Sequence, residues 1–336
     1  MNTGPEPGSG PLQDRRSRSY YGRPVIAAPV WTWEVPVYLF AGGLAGASAG
    51  LAFASEVGGH DVLARRAWGV AGVAITACPP LLVSDLGRPE RFLNMMRVFK
   101  VTSPMSVGSW LLAAAGTATG AAAASRLLAP RRGGSLASAL ERIGSPAAPA
   151  AAVLGMPLAT YTGVLLANTA VPVWHEARRE LPFLFAAGAA ASAGAAATAI
   201  TPAAHAGPAR RLALGAAIAE MAIDRAMRRR LGPLAATYES GPPARWHRAA
   251  VTLLTAGAAT LAASGRRAGP ASARAGRLRN PRRAAAPGGR PLAVAGAALT
   301  LGGALATRFA VFRAGFASAE DPAQTVAPQR ARAAAA

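Results

Sequence analysis

The chain is poor in the residues that most metal and redox chemistry needs. A single cysteine, Cys78, stands among 336 residues, so the chain can form no intrachain disulfide and hold no iron–sulfur cluster, which takes several thiolates. Cys78 therefore reads as a small buried apolar residue. Histidine is almost as scarce. His60, His175, His205 and His247 are the four, and each falls in a loop or at the margin of an apolar stretch. A haem held between helices needs imidazoles inside them, and a helical metal centre needs ligands along a bundle core, so neither is expected. Acids are also few, 15 against 36 Lys plus Arg. A formal charge of +21 would fit a nucleic-acid binder, but the arginines lie between apolar stretches and at the tails, where they would meet anionic lipid headgroups. No nucleic-acid partner is expected. Met1 to Pro24 has no apolar core ending in a small-residue cleavage site and reads as a mobile polar tail.

What the chain has in quantity is small and apolar. Hydrophobic residues make up 52%, there are 37 glycines, and only 15% of residues are charged. Apolar windows run at about 35–55, 65–84, 105–127, 148–172, 181–201, 209–223, 249–265 and 291–312, most of them near the roughly 20 residues that cross a bilayer as a helix. The sixth and seventh are the shortest. This pattern predicts an all-α, polytopic integral membrane bundle of about eight transmembrane helices over residues 31–315, a multi-pass protein of the cell membrane. A mobile polar N-terminal tail at 1–30 and a disordered C-terminal tail at 316–336 flank it. The Arg-, Pro- and Gly-rich stretches 128–147 and 266–290 read as solvated loops. Gly42, Gly46 and Gly50 fall at four-residue spacing in the first span, which lays a smooth ridge along one helix face for close packing.

Antiparallel spans carry the chain alternately between two membrane faces, and the polar residues collect on the face where the first span begins, face A. Glu34 and Tyr38 open the first span. Asp85 and Arg88 follow the second, within the charged run Ser84-Asp85-Leu86-Gly87-Arg88-Pro89-Glu90-Arg91-Phe92. Glu220 and Asp224, one helical turn apart, close the sixth, and Arg308 sits near the end of the eighth. Tyr161 lies close to the middle of the fourth span, where a phenol can donate a hydrogen bond from an apolar wall. Acids, an arginine and a tyrosine from several helices at one face point to a polar cavity open to it.

Several motifs carry a resemblance. Tyr21-Gly22-Arg23-Pro24, the run from Trp31 to Gly43, Asp85-Leu86-Gly87-Arg88-Pro89 with Arg91-Phe92, and Thr102 to Trp110 together resemble the NrfD-like, polysulfide reductase membrane-subunit family. The likeness is strongest over 20–112, continues through Tyr161 to Leu166 and Pro172-Val173-Trp174 to about residue 200, and beyond that rests on the span pattern with Glu220 and Arg308.

The resemblance implies an integral membrane, quinone-reactive anchor subunit with no haem or iron–sulfur cluster of its own, rather than a catalytic-centre subunit. Its partners would be a ferredoxin-like 4Fe-4S subunit and a molybdopterin catalytic subunit, besides membrane lipid. Electrons would pass between the iron–sulfur chain and menaquinone or ubiquinone, with proton transfer beside it. By the same likeness Trp33, Glu34, Tyr38 and Tyr161 form the quinone site, while Asp85, Arg88, Glu220 and Arg308 serve proton transfer and electrostatics. A secondary transporter or proton-conducting protein would also place acids and an arginine among helices. The third alternative is a passive tether for the iron–sulfur subunit. The charge balance between the two faces leaves the orientation open.

Overall fold

The computed structural model describes residues 26–86, 88, 90–129, 134–275 and 289–326. Among them are ten α-helices and two 3-10 turns, without a strand. The helices are α1 (Glu34–Val57), α2 (Asp61–Asp85), α3 (Arg91–Met95), α4 (Pro104–Leu128), α5 (Ser135–Ala167), α6 (Pro172–Glu176), α7 (Leu181–Ile200), α8 (Gly207–Leu231), α9 (Gly241–Ala275) and α10 (Gly289–Glu320). The 3-10 turns are Ala177–Arg179 and Gly232–Tyr238. All-helical structure is what hydrocarbon demands, because each backbone N–H and C=O must find its partner within the segment.

Six of these helices, α1, α2, α4, α5, α7 and α10, are long and apolar enough to cross a membrane. The two weakest windows of the sequence become α8 and α9, of 25 and 35 residues. They have the length but not the apolarity, since α8 carries acids and arginines along its second half. Both still pack into the bundle, α8 on α7 and α9 along α10. The eight spans expected from the sequence thus correspond to eight long helices, six of them apolar in their own right.

Two polar clamps fix the ends. At the far face, Glu56 at the end of α1 accepts from Trp68 Nε1 of α2 at 2.8 Å and from Arg126 Nε of α4 at 2.9 Å, so one carboxylate ties three helices. At face A, Trp174 of α6 is fully buried, donates from Nε1 to Val311 O of α10 at 2.7 Å and stacks on Trp31 at 5.8 Å. The motif Pro172-Val173-Trp174 is therefore a rivet between a surface turn and the last span.

Several boundaries differ from the sequence expectation. The stretch 128–147 is mostly helix, because α5 already begins at Ser135. Ser135 to Ile143 is rich in good helix formers, and Gly144 lets α5 settle against Ser125 of α4. Pro146, Pro149 and Pro157 lie inside this helix, as Pro79 and Pro80 lie inside α2. Neighbouring helices support such prolines in membrane bundles. In the 266–290 stretch α9 continues to Ala275, and 276–288 lie outside the described residues. At the C-terminus α10 continues past residue 315 to Glu320, because Phe312 and Phe316 pack on Trp174 and buried Ser318 accepts from the Val173 N–H at 3.4 Å. Of the tails expected at 1–30 and 316–336, residues 1–25 and 327–336 lie outside the described residues.

Of the glycine ridge on α1, one position makes the close approach. A Cβ on Gly46 would stand 2.3 Å from the Gly155 carbonyl oxygen of α5, whereas one on Gly50 would meet nothing within 4 Å. Gly46→Ala must push α1 and α5 apart and is expected to cost about 1–3 kcal/mol, while Gly50→Ala should be neutral or stabilise by about 0.5–1 kcal/mol. Melting of the two variants in one detergent tests this, and equal midpoints would contradict the close approach.

Candidate functional site

At face A the N-terminus of α1, the end of α2, the start of α4 and the end of α5 converge. Asp85 lies in the last turn of α2, and its Oδ1 accepts from the Thr32 backbone N–H at 3.2 Å and faces the Thr32 hydroxyl at 3.3 Å. That hydroxyl also donates to Glu34. A hydroxyl has one proton, so Asp85 and Glu34 compete for it across a single threonine. Tyr161 donates from its hydroxyl to the Pro104 carbonyl in the first turn of α4. Gly108 makes room for the ring, since a Cβ there would be 2.2 Å from the Tyr161 oxygen.

These contacts enclose a small cavity of about 70 Å³, in which Tyr38, Asp85 and Tyr161 meet Trp31, Met95 and Met105. Leu82 and Ser109 are shared with an adjoining apolar hollow of about 240 Å³ between α2, α3 and α4. Tyr161 reaches this cavity because α5 ends at Ala167. It sits in the last two turns of its helix, not in mid-span as the sequence suggests.

The other charged residues are deeper. Arg308 of α10 and Glu220 of α8 form an ion pair at 3.3 Å with each side chain 1% exposed. Both helices run well past them, so the pair lies about 16–18 Å along the axes from the C-terminal ends at Leu231 and Glu320. Arg308 Nη2 also donates to Phe185 O at 2.7 Å, and its guanidinium lies 4.4 Å from the centre of the Phe185 ring. Gly188 of α7 supplies the space, since a Cβ would fall 2.4 Å from Arg308 Nη1 and 2.7 Å from Glu220 Oε1. Two atoms of the pair, Glu220 Oε2 and Arg308 Nε, are buried without a protein partner.

A second cavity, of about 190 Å³, opens beside this pair. One turn outward from Glu220, Asp224 accepts through Oδ2 from Arg228 Nε at 3.1 Å and is joined by His247 Nε2 of α9 at 3.0 Å. Tyr238, in the 3-10 turn that links α8 to α9, stands edge-on to the His247 ring at 5.9 Å. Burial first, and the Asp224 charge second, hold the Tyr238 phenol above its ordinary pKa, so it acts as a neutral donor or acceptor. Thr307 of α10 and Arg225 of α8 complete the polar lining.

The polar residues of face A are thus divided between two cavities that share no lining residue. Tyr38, Tyr161 and Asp85 come together, with Glu34 joined to them through Thr32. Trp33 is 58% exposed and Arg88 is exposed, and neither lines either of these two cavities. Sequence reasoning missed Thr32, Gly188, Tyr238 and His247. His247 was placed at a helix margin, whereas it lies inside α9, 23 residues from the acid it meets. No local spacing signals such a contact.

The sequence signature described as polysulphide reductase, NrfD, matches residues 25–231, more than half of the chain. The chain belongs to the NrfD family. No curated protein matches it. It is accordingly a multi-pass membrane subunit of the polysulfide reductase type. The NrfD match takes in the whole Tyr38, Asp85 and Tyr161 cavity, together with Glu220 and Asp224. It ends at α8, so Tyr238, His247 and Arg308 lie beyond it.

Among the described residues no group of three or more His, Cys, Asp or Glu could hold a metal ion. The buried ion pair makes a separate prediction. Arg308→Met leaves Glu220 without its cation and should destabilise by about 3–5 kcal/mol, whereas Arg308→Met with Glu220→Met together should lose much less. Thermal unfolding of both variants against the parent measures this, and additive losses would mean that the two side chains are not coupled.

Proposed function

We propose that this NrfD subunit is the quinone-reactive membrane anchor of an oxidoreductase complex. It would pass electrons between a ferredoxin-like iron–sulfur partner, itself served by a molybdopterin catalytic subunit, and the menaquinone or ubiquinone pool. The observation that carries this reading is the convergence of Tyr38, Tyr161 and Asp85 on one cavity at face A, beside an apolar hollow. Alone, the 70 Å³ cavity is far below the roughly 300–1,000 Å³ of ligand pockets, but with the adjoining 240 Å³ it approaches the lower end of that range. A quinone ring at the polar end with its isoprenoid tail along the apolar hollow matches the lining.

Quinone is the substrate. Its reduction takes two electrons and two protons, giving the quinol with both carbonyl oxygens protonated. The electrons come from the iron–sulfur partner, so the chain has to stabilise charge on the carbonyl oxygens and supply the protons. Tyr161 holds its hydroxyl proton on the Pro104 carbonyl, and a quinone carbonyl in the cavity would compete for that proton, strengthening its hold as negative charge develops. Asp85 and Glu34 lie at the aqueous edge, and the Thr32 hydroxyl can orient toward either. This arrangement lets a proton move from the surface to the cavity without a long path. Trp31, stacked on buried Trp174, keeps the cavity wall rigid.

The decisive preparation is the complex drawn from its native membrane in mild detergent, with its subunits, metals and quinones identified. Molybdenum or tungsten, iron–sulfur signals and bound quinone support the anchor, and a lone polypeptide without quinone would favour the transporter alternative. Within the complex, Tyr161→Phe removes one hydrogen-bond donor and should lower quinone-linked turnover about a hundredfold, relative to turnover measured with a dye at the partner. Thr32→Val should lower it less, because the backbone N–H of residue 32 remains on Asp85. A passive tether would lose no quinone-linked turnover in either variant.

A further inference from the structure

At the far face, the start of α8, the late part of α9 and the start of α10 bring arginines together that neither cavity uses. Arg210 and Arg211 stand near the start of α8, Arg266 lies late in α9, and Arg290 is the second residue of α10. A Cβ on Gly265 would fall 2.9 Å from Arg210 Nε, so this side chain lies across α9 at the residue before Arg266. A Cβ on Gly289 would stand 3.9 Å from the Ser264 carbonyl oxygen, which starts α10, and with it Arg290, beside the same turn of α9. Charge at this rim is one-sided. Glu56, the acid at the end of α1, is held by Arg126, and among the described residues no carboxylate makes an ion pair with Arg210, Arg211, Arg266 or Arg290. The sequence has no acid between Arg266 and Arg290. Arg210 and Arg290 also fall in the first turns of their helices, where the helix dipole disfavours a cation. Packing therefore gathers like charges that repel one another unless an anion joins them.

Below the arginines the surface is apolar. Arg211, Gly215, Ile218 and Ala222 follow one exposed face of α8. Ile218 is 59% exposed, and a Cβ placed on Gly215 would meet nothing within 4 Å. From Arg211 to Ala222 this stripe runs about 16 Å along the helix axis, close to half the thickness of a hydrocarbon core. A cationic rim above an apolar stripe of that depth has the shape of one amphiphile. We infer that α8, α9 and α10 form a discrete site for an anionic phospholipid, with its phosphodiester held by Arg210, Arg211, Arg266 and Arg290 and an acyl chain along the Gly215–Ile218 stripe. Guanidinium groups suit this ligand, because each presents paired donors to phosphate oxygens. A free phosphate would use the same donors and leave the stripe unused. An acidic protein segment has nothing to lay along it. The site differs from the general pull of arginines toward a charged leaflet, since it takes three helices and holds one lipid. It also has a mechanical role: α8 and α9 touch far less than α9 and α10 do, and a shared headgroup ties the looser seam. None of this depends on what the subunit does with quinone.

Native mass spectrometry of the full chain in detergent, titrated with phosphatidylglycerol in an excess of phosphatidylcholine, reads the binding directly. One phosphatidylglycerol per chain should be retained before any further lipid adds. An arginine beside a charged headgroup is worth about fivefold in affinity, so Arg210→Gln with Arg266→Gln should weaken that first binding about thirtyfold. Arg66→Gln with Arg142→Gln, which removes two exposed arginines of the far face outside the seam, should leave it unchanged.

Equal losses in the two double variants would mean diffuse attraction to charge and would overturn a discrete site, as would retention of phosphatidylcholine in preference. Displacement of the bound lipid by glycerol phosphate at equal concentration would show that the acyl chain contributes nothing, and the lipid assignment would fall. Should Arg210→Gln with Arg266→Gln fail to stay monodisperse, the single variants Arg211→Gln and Arg290→Gln, at exposed side chains, carry the same test at about fivefold each. No loss in either of them would overturn the site.

Discussion

Burying Arg308 with Glu220 in the middle of the bundle is the constraint around which the second half of the molecule is arranged. A guanidinium and a carboxylate in an apolar interior each lose several kcal/mol of hydration, which only close geometry and further hydrogen bonds recover. The surroundings are built for that recovery. Gly188 is small because any side chain would collide with both partners. Phe185 contributes twice, with a carbonyl that accepts from Nη2 and a ring beneath the guanidinium. Gly43 of α1 would bring a Cβ to 4.0 Å from the same Nη2. Four helices therefore meet at one ion pair, and the small residues that fill them are what permits the approach.

Small residues also explain how much of the fold could be read from the sequence and where the reading failed. The first five apolar windows and the last correspond to helices, because twenty apolar residues in hydrocarbon have few alternatives to a helix. Helix ends were less legible. Ser135 to Ile143 is polar enough to resemble a loop, yet it is strongly helical, and α5 closes on α4 from Gly144 onward. The windows over α8 and α9 were short because charge interrupts them, and it interrupts them at the residues that line the second cavity. At the site, the motif from Trp31 to Tyr38 and the Asp85 turn were legible as a group, since sequence places them at the same face. Tyr161 joined them through a helix ending that hydropathy does not locate. Thr32, an exposed threonine before a span, carries no sequence signal of a second role. Its role depends on Asp85, which is 53 residues away.

The two cavities answer different physical demands. Under the proposed quinone-anchor reading, a quinone at the face A cavity has Asp85 and Glu34 at the aqueous edge, so its two protons need no route through the bundle. Glu220 is another matter. A protonated Glu220 would leave Arg308 without its counter-charge while it remains 1% exposed. What is left to it is the Phe185 carbonyl and ring, with Nε already unpartnered. A lone buried cation of that kind is costly. Protonation of Glu220 would therefore have to be matched by added hydration of Arg308 or by a shift of its side chain, and the adjoining cavity of about 190 Å³ is the space available for either. The same low-dielectric setting that makes the pair a structural centre makes its protonation state mechanically consequential. Gly188, which allows the pair to form, leaves no bulk that would block such a shift.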